Sequence, residues 1–555
     1  MLALAGSQHD SIGGIFEGSR ELKQTTKYIF VTGGVLSGVG KGITAASLAK
    51  ILKSRGLKVN IQKCDPYLNT DAGTLNPAEH GEVFVTVDGA EADLDLGHYE
   101  RFLNQELTQS SSLMSGKILS QVIADERAGK YLGKTVQIIP HVTNAIQDAI
   151  AAAGAGYDVH FVEIGGTVGD YEGQSFLEAI REFKQRVGAE NVLYLHVVYL
   201  PFIEASKEVK TKPAQNAVRT LRGYGINPDV LVARSEREST QSVLDKLSLY
   251  SDVEAGGICV VPTVESVYEV PLRMGDTADF IIDRLQLKTK KENLGNWHQL
   301  VERAMDKSLP QVRIGVVAKY MDHEDTYMSV FEALKAAGWA EERRVDIDWI
   351  DSEELEVELP PGRFEALDGI IVPGGFGSRG VEGKIKAATW AIERGTPYLG
   401  LCLGMQVAVI ALARLQGKTD ANSIEFDSDT PDPVISLMNE QKEVVDKGGT
   451  MRLGNWECVL GKGSLAHKLY GRLTIAERHR HRYEFNNAYK VELEAAGMVF
   501  SGTSPDGKLV ELIELAEHPF FIASQFHPEF SSRPEAPNPL FRGLIQAARS
   551  VADQR

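Results

Sequence analysis

An α/β chain of two domains, each built on a mainly parallel sheet flanked by helices, is the architecture this sequence predicts, and three observations predict it. Short apolar, β-rich runs recur and alternate with helical patterns, the arrangement that produces parallel sheets covered by helices. At 555 residues the chain exceeds one ordinary domain. The alternation also pauses once: LKTKKENLGNWHQLVERAMDKSLP, from Leu287 to Pro310, is charged and polar with no strand pattern and reads as an interdomain helix and linker.

The elements follow in order. Residues 1–26 read as a loose N-terminal extension, because their apolar run is too short and lacks the positive flank of a secretory signal. The first strand series is YIFVTGG from Tyr28, VHFVEIGG from Val159, VLYLHVVYLP from Val192 and DVLVARS from Asp229, giving a domain over 27–289. Residues 290–310 form the linker. The second series is VRIGVVAKY from Val312, VDIDWI from Val345, GIIVPGG from Gly369, YLGLCLG from Tyr398 and FFIASQFHPE from Phe520, giving a domain over 311–545 and a tail over 546–555.

With 43% hydrophobic and 24% charged residues the chain has the means to bury substantial cores. A formal net charge of -17 disfavours a nucleic-acid-binding surface, so local Lys and Arg clusters point to small anionic ligands. No stretch resembles a membrane span. Cys64, Cys259, Cys402 and Cys458 are far apart and make neither a CxxC pair nor a metal spacing, which fits a reducing cytoplasm.

Two motif clusters carry chemistry. In GGVLSGVGKG, Gly33, Gly34, Gly38 and Gly40 follow a strand, and Lys41 opens the helical pattern that continues TAASLAKILKSRG. Amides of such a loop and the helix N-terminus cradle phosphates, and the lysine reaches the terminal ones. The loop departs from a standard Walker A, since Gly42 stands where Ser or Thr ligates magnesium. Carboxylates must serve instead, and Asp95 and Glu163, the latter at a strand end, are the candidates for Mg²⁺. A second basic element, KEVKTKPAQNAVRTLRGYG, holds Lys210, Lys212 and Gln215, with Lys246 further on. Its charge alone fits either a second triphosphate site or a solvated helix face.

Near the other end, GLCLG sets Cys402 between Gly400 and Gly404, the small residues that a strained strand-to-helix elbow requires. SQFHPEF supplies His527 as base and Glu529 to orient it, a Cys/His/Glu set of the kind that transfers acyl groups. VPGGFGSRG offers amides at Gly374 and Gly375 to a developing oxyanion, with the Leu403 amide as second donor.

The strings GGVLSGVGKGI, DPYLN, HGEVFVTVDGAEADLDLGHYERF, EIGGTVGDYEG, KTKPAQ, GGTMRLG and RHRHRYEFNN, together with the elbow, closely resemble the CTP synthase family from about Tyr28 to about Arg542. The resemblance implies a P-loop, dethiobiotin-synthetase-like synthetase domain followed by a flavodoxin-like class I glutaminase domain. It also implies ATP-dependent conversion of UTP to CTP, with ammonia drawn from L-glutamine. By the match, Gly38, Val39, Gly40, Lys41, Gly42 and Ile43, with Lys63, serve ATP, Asp95 and Glu163 hold Mg²⁺, and the region of Val264 reads adenine. Ser37, Asp170, Tyr171 and Glu172, the run Lys210, Thr211, Lys212, Pro213, Ala214 and Gln215, and Lys246 match the UTP site that CTP occupies as inhibitor. Gly375, Leu403, Gly404, Met405, Gln406, Glu425 and Arg482 match the glutamine pocket, and His80 and Val83 the constriction of an ammonia passage. Arg379 matches a residue tied to activation by GTP. The resemblance further implies homotetramers, which in some members stack into filaments, and no organic cofactor. Two other readings are open to the motifs alone: an ATP-dependent amidase acting on a cofactor carboxylate, and a nucleotide-switched assembly protein.

Overall fold

The computed structural model describes residues 26–319, 321, 323–357, 362–438 and 451–555. Residues 1–25 of the expected extension and 448–450 of the GGTMRLG string lie outside the described residues.

Strands β1 (Lys27–Gly33), β2 (Val59–Asp65), β3 (Ser112–Met114), β4 (Val159–Ile164), β5 (Val192–Leu200), β6 (Val230–Ser235) and β7 (Ile258–Pro262) form one sheet in the order β7-β6-β5-β1-β4-β2-β3. All its pairings are parallel. Strand β1 shows why so apolar a run is needed at the centre. Ile29 and Val31 face the core shared with Leu48 and Leu52 of helix Lys41–Ser54, while Tyr28 and Phe30 face the opposite layer, where Phe183 and Tyr194 lie. Side chains alternate across a strand, so a strand covered on both faces is apolar throughout. The chain passes from one side of β1 to the other between β4 and β5, and ligand crevices open at the carboxyl ends of strands at such a switch.

The second sheet comprises β8 (Gln311–Ala318), β9 (Arg344–Asp351), β10 (Gly369–Val372), β11 (Tyr398–Leu401), β12 (Arg452–Leu460), β13 (Thr474–His481), β14 (Met498–Thr503), β15 (Val510–Leu515) and β16 (Phe521–Ser524). Its order is β9-β8-β10-β11-β16-β15-β14-β12-β13. Pairings from β9 to β16 are parallel, and those beyond are antiparallel. The PGG turn leaves β10 and the cysteine elbow leaves β11, so both hang from the parallel part.

The polar segment between the sheets is docked rather than free. Helix Trp297–Met305 buries Trp297 completely among Phe102 and Tyr268, and its indole Nε1 donates to the Tyr268 carbonyl at 2.8 Å. The two halves are also joined by buried charge. Arg478 donates to both oxygens of Glu100 at 3.0 and 2.8 Å, and Arg533 reaches the same carboxylate. Breaking such a pair from one side leaves an uncompensated buried charge, typically at about 3–5 kcal/mol. Among the described residues, no helix is long and apolar enough to cross a membrane.

Candidate functional site

The phosphate loop runs from the end of β1 to helix Lys41–Ser54. Val35, Gly38 and Gly40 have φ of 81°, 68° and 91°, and residues 35–38 are exposed, leaving backbone open to a ligand. A Cβ on Gly40 would stand 2.7 Å from Arg234 Nη1. That places the Arg234 guanidinium, on β6, against the loop. Burial lowers its pKa, and its Nε has no hydrogen-bond partner. Sequence reasoning missed it, because one arginine in a strand pattern gives no signal.

Lys41 is buried, and its ammonium donates to the Gly166 carbonyl at 2.8 Å. Burial pulls its pKa down, with Glu163 the chief opposing charge. Lys63, at the end of β2, donates to Asp95 and, at 3.2 Å, to Glu163, whose other oxygen accepts from Tyr99. Burial would lower the Lys63 pKa, yet Asp95, Glu163 and Asp65 together hold it well above its usual value. Burial would raise the Asp95 pKa, but Lys63, His98 and Lys41 together bring it down to about 2. Gly42 explains the departure from Walker A: a Cβ there would lie 2.6 Å from Asp95 Oδ1 and 3.3 Å from Glu163 Oε2. A serine would collide with the carboxylates whose place it would share.

These carboxylates fit Mg²⁺. Asp95 and Glu163 present hard oxygens beside the phosphate loop, and Asp65 Oδ2, buried beside them, has no hydrogen-bond partner.

The other N-terminal candidates line the same edge of the sheet. The loop after β4 donates from Val168 to the Gly33 carbonyl at 2.8 Å and lies against helix Lys212–Gly223, where a Cβ on Gly169 would be 3.5 Å from Thr220. Asp170 accepts the Thr167 amide at 3.0 Å, whereas Ser37, Tyr171 and Glu172 are exposed. Thr211, Ala214 and Gln215 are buried, the Gln215 amide donating to Thr211 Oγ1 at 3.0 Å, and Lys212 and Pro213 begin the helix. Lys210 pairs with Glu208, whose carboxyl is held low by Lys210 first and by Lys246 further off. Val264 is half-buried against the first domain's core.

In the second domain Cys402 has φ 51° and ψ -100°, a conformation that non-glycine residues rarely adopt. Its amide donates to the Ser524 carbonyl at 2.7 Å, and Tyr398 Oη donates to the Gly404 carbonyl at 2.8 Å. A Cβ on Gly404 would stand 2.0 Å from the Val372 carbonyl, and one on Gly400 2.6 Å from the Gly404 carbonyl. The elbow therefore needs both glycines. His527 Nδ1 lies 2.6 Å from Glu529 Oε1, and its Nε2, buried and bonded to no other acceptor, is left for the Cys402 thiol. Burial opposes charge on the ring, but Glu529 and the Cys402 sulfur reverse that and raise its pKa to about 10.

Three further groups serve this pocket, and only one had a sequence signal. Gln525, inside SQFHPEF, donates to Cys402 Sγ at 3.6 Å and accepts from Gln406 at 3.3 Å. Lys384 is fully buried and donates to the Pro373 carbonyl at 3.2 Å, and burial lowers it to about 7. Lys319 donates to Phe376 and, at 3.0 Å, to Gly377, and burial lowers it to about 8. The two lysines brace the PGGFG turn. Glu425 accepts the Gly377 amide at 2.9 Å, and Leu403 to Gln406 open helix Leu403–Leu415. Arg379 bonds the Lys319 carbonyl at 3.4 Å and pairs with Glu353 at 3.2 Å.

A cavity of about 380 Å³ opens at this triad. Gly374, Gly375, Cys402, Arg482, His527 and Glu529 line one side, and Pro77, Glu82 and Val83 of the first domain line the other. His80 ends helix Pro77–His80 and is not among the residues lining this cavity, its ring standing 5.6 Å from that of Tyr67.

Comparison with known proteins covers both halves. Residues 27–287 match the model of the CTP synthase N-terminus, and residues 323–547 match that of class I glutamine amidotransferases. A CTP synthase of Carboxydothermus hydrogenoformans is 55% identical over 528 residues, covering 94% of this chain and 98% of its own. The chain belongs to the CTP synthase family. A CTP synthase of Rubrobacter xylanophilus is similarly 53% identical, covering 95% of this chain and 96% of its own. Among solved structures, a Trypanosoma brucei CTPS glutaminase domain with bound acivicin is 41% identical with a TM-score of 0.40, covering 43% of this chain and 94% of that one. The phosphate loop lies within the segment matched to the CTP synthase N-terminus and the Cys402 elbow within the amidotransferase segment.

Proposed function

We propose that this CTP synthase family member aminates UTP to CTP at the expense of ATP, with nitrogen taken from L-glutamine at Cys402. The observation that carries the reading is the cavity shared by the triad and the Glu82–Val83 wall of the first domain. Two unrelated sites would have no use for it. Cys402 attacks the side-chain amide carbon of glutamine, the amides of Gly375 and Leu403 stabilise the oxyanion, and His527 gives its proton to departing ammonia. Water then clears the thioester as glutamate. In the first domain the uracil 4-oxygen takes the γ-phosphoryl group of ATP, with Lys41, Lys63 and Arg234 balancing its charge, and ammonia displaces phosphate from C4. When bound, Mg²⁺ held by Asp95, Glu163 and phosphate oxygens would supply further charge neutralisation there.

The finer parts of the reading are GTP action through Arg379, CTP inhibition at the UTP residues, and a homotetramer with the capacity to form filaments in a cytoplasmic setting. Exposed apolar side chains at the UTP residues, Tyr171 at 82% and Leu249, on the helix of Lys246, at 77%, support contact with further subunits.

Product analysis by chromatography tests the whole scheme, with ATP, UTP and Mg²⁺ and either glutamine plus GTP or ammonium salt. CTP from both nitrogen sources is expected; no CTP from either would restore the amidase or switch reading. Gly42→Ala is expected to reduce synthesis from both sources, because overpacking of about 1–3 kcal/mol falls on the Asp95 and Glu163 carboxylates. Unaltered ammonium-driven synthesis would remove those carboxylates from the reaction.

A further inference from the structure

The first domain places one carboxylate on the wall of the triad cavity that the scheme above does not use. Glu82 lines that cavity together with Cys402, next in sequence to Val83. Its side chain is buried, and its backbone is fixed by donation to the Asp325 carbonyl at 2.9 Å. The carboxylate's partner is Ser329 of the second domain, whose amide approaches the two oxygens at 3.3 and 3.2 Å and whose hydroxyl donates to Oε2. Oε1 is left with one long bond. Arg101 stands one step back, donating to Ser329 Oγ at 3.2 Å rather than to the carboxylate.

We propose that Glu82 is a working residue of the ammonia route: its carboxylate accepts an N–H hydrogen bond from ammonia leaving Cys402 and holds it at the entrance to the Val83 constriction. The inference rests on the amination reading. No proton changes hands in this step; ammonia stays neutral and donates one N–H to Oε1, while Ser329 bonds chiefly to Oε2 and the backbone is held at Asp325. The reason for an acceptor there is desolvation. Ammonia carries three donors, and apolar walls such as those of Val83, Pro77 and Phe530 give them nothing to bond. Burial raises the Glu82 pKa to about 7, Glu529 adds to the rise, and Ser329 and Arg101 work against it, so the carboxylate that accepts the N–H is the form present above that pH.

The alternative is that Glu82 only latches the two domains through Ser329, and the test separates the two. CTP formed per glutamate released is measured with ATP, UTP, Mg²⁺, GTP and glutamine for wild type, Glu82→Gln and Ser329→Ala. Wild type is expected to give about one CTP per glutamate. Glu82→Gln keeps the shape and the Ser329 bond but loses the charge, and the ratio is expected to fall about fivefold, the difference between a charge-assisted and a neutral hydrogen bond. Ser329→Ala, which loses the latch and keeps the carboxylate, is expected to hold the ratio within about twofold. An unaltered ratio in Glu82→Gln, or an equal fall in Ser329→Ala, overturns the inference while leaving the amination reading intact. Glutamate release without CTP in the wild type overturns both.

Discussion

Cys402→Ala is expected to end glutamine-driven CTP formation, by about 10⁴-fold or more, while synthesis from added ammonium salt continues. The asymmetry follows from placement. The sulfur faces His527, Gln525 and the cavity, and the groups proposed to handle ATP and UTP all lie in the first domain. Alanine retains the Cβ and adds no strain to the elbow beyond what cysteine already bears at φ 51°. The Cys402 amide bond to Ser524 is also unaffected by the change. The fold should therefore persist, and the loss should be chemical. Glutamate release and CTP formation are followed separately with each nitrogen source. Loss of both activities would contradict separate sites, and glutamine-driven synthesis that survives would favour a nucleotide switch whose second domain serves only for contacts.

What the sequence discloses depends on how local the physical constraint is. The elbow is local: the clashes of Gly400 and Gly404 with neighbouring carbonyls force small residues at fixed spacing, so GLCLG is readable as a string. The same holds for the phosphate loop and for strands covered on both faces, such as Tyr28 to Val31. Strands β12 to β15 gave no comparable signal. Arg452–Leu460 and Thr474–His481 carry buried polar and charged residues, Arg452, Glu477, Arg478 and His479, at positions where a strand pattern leads one to expect apolar ones. Those residues answer partners far away in sequence, as Arg478 answers Glu100. Lys384 was hidden for the same reason, since VEGKIKAA looks like a solvated helix face until the PGG turn is folded over it. The Glu82 carboxylate is a still more distant case, because its partner and its cavity exist only when the two domains are together.

That junction also bears on the triad itself. The ring of Phe530, three residues after His527, stacks on the imidazole at 5.2 Å and meets Phe84 of the first domain edge-on at 5.1 Å. The segment carrying the base is thus packed directly against the other domain. A change in the first domain's hold on Phe84 has a short mechanical path to His527, through close-packed rings that transmit displacement rather than absorb it.

Lys41→Ala should have the converse effect to Cys402→Ala: synthesis falls with either nitrogen source, by about 10²- to 10³-fold, and glutamine hydrolysis persists. Lys41 is the first residue of helix Lys41–Ser54, so its ammonium adds to the positive end of the helix at the phosphate loop. Burial works against its charge, and Glu163 and Asp95 sustain it. Removing the cation leaves those two carboxylates facing incoming phosphates with only Lys63 and Arg234 to offset them, so the lost attraction is compounded by repulsion at the phosphoryl group. The fold should tolerate the loss. A buried lysine with one carbonyl acceptor, Gly166, gains little from its burial, so thermal unfolding is expected to stay close to that of the wild type. Ammonium-driven CTP formation is the deciding measurement, since it bypasses Cys402 altogether. A wild-type rate there would take Lys41 out of phosphoryl transfer, whereas a deep loss with glutamate release intact would tie the ligase chemistry to the first domain's phosphate loop.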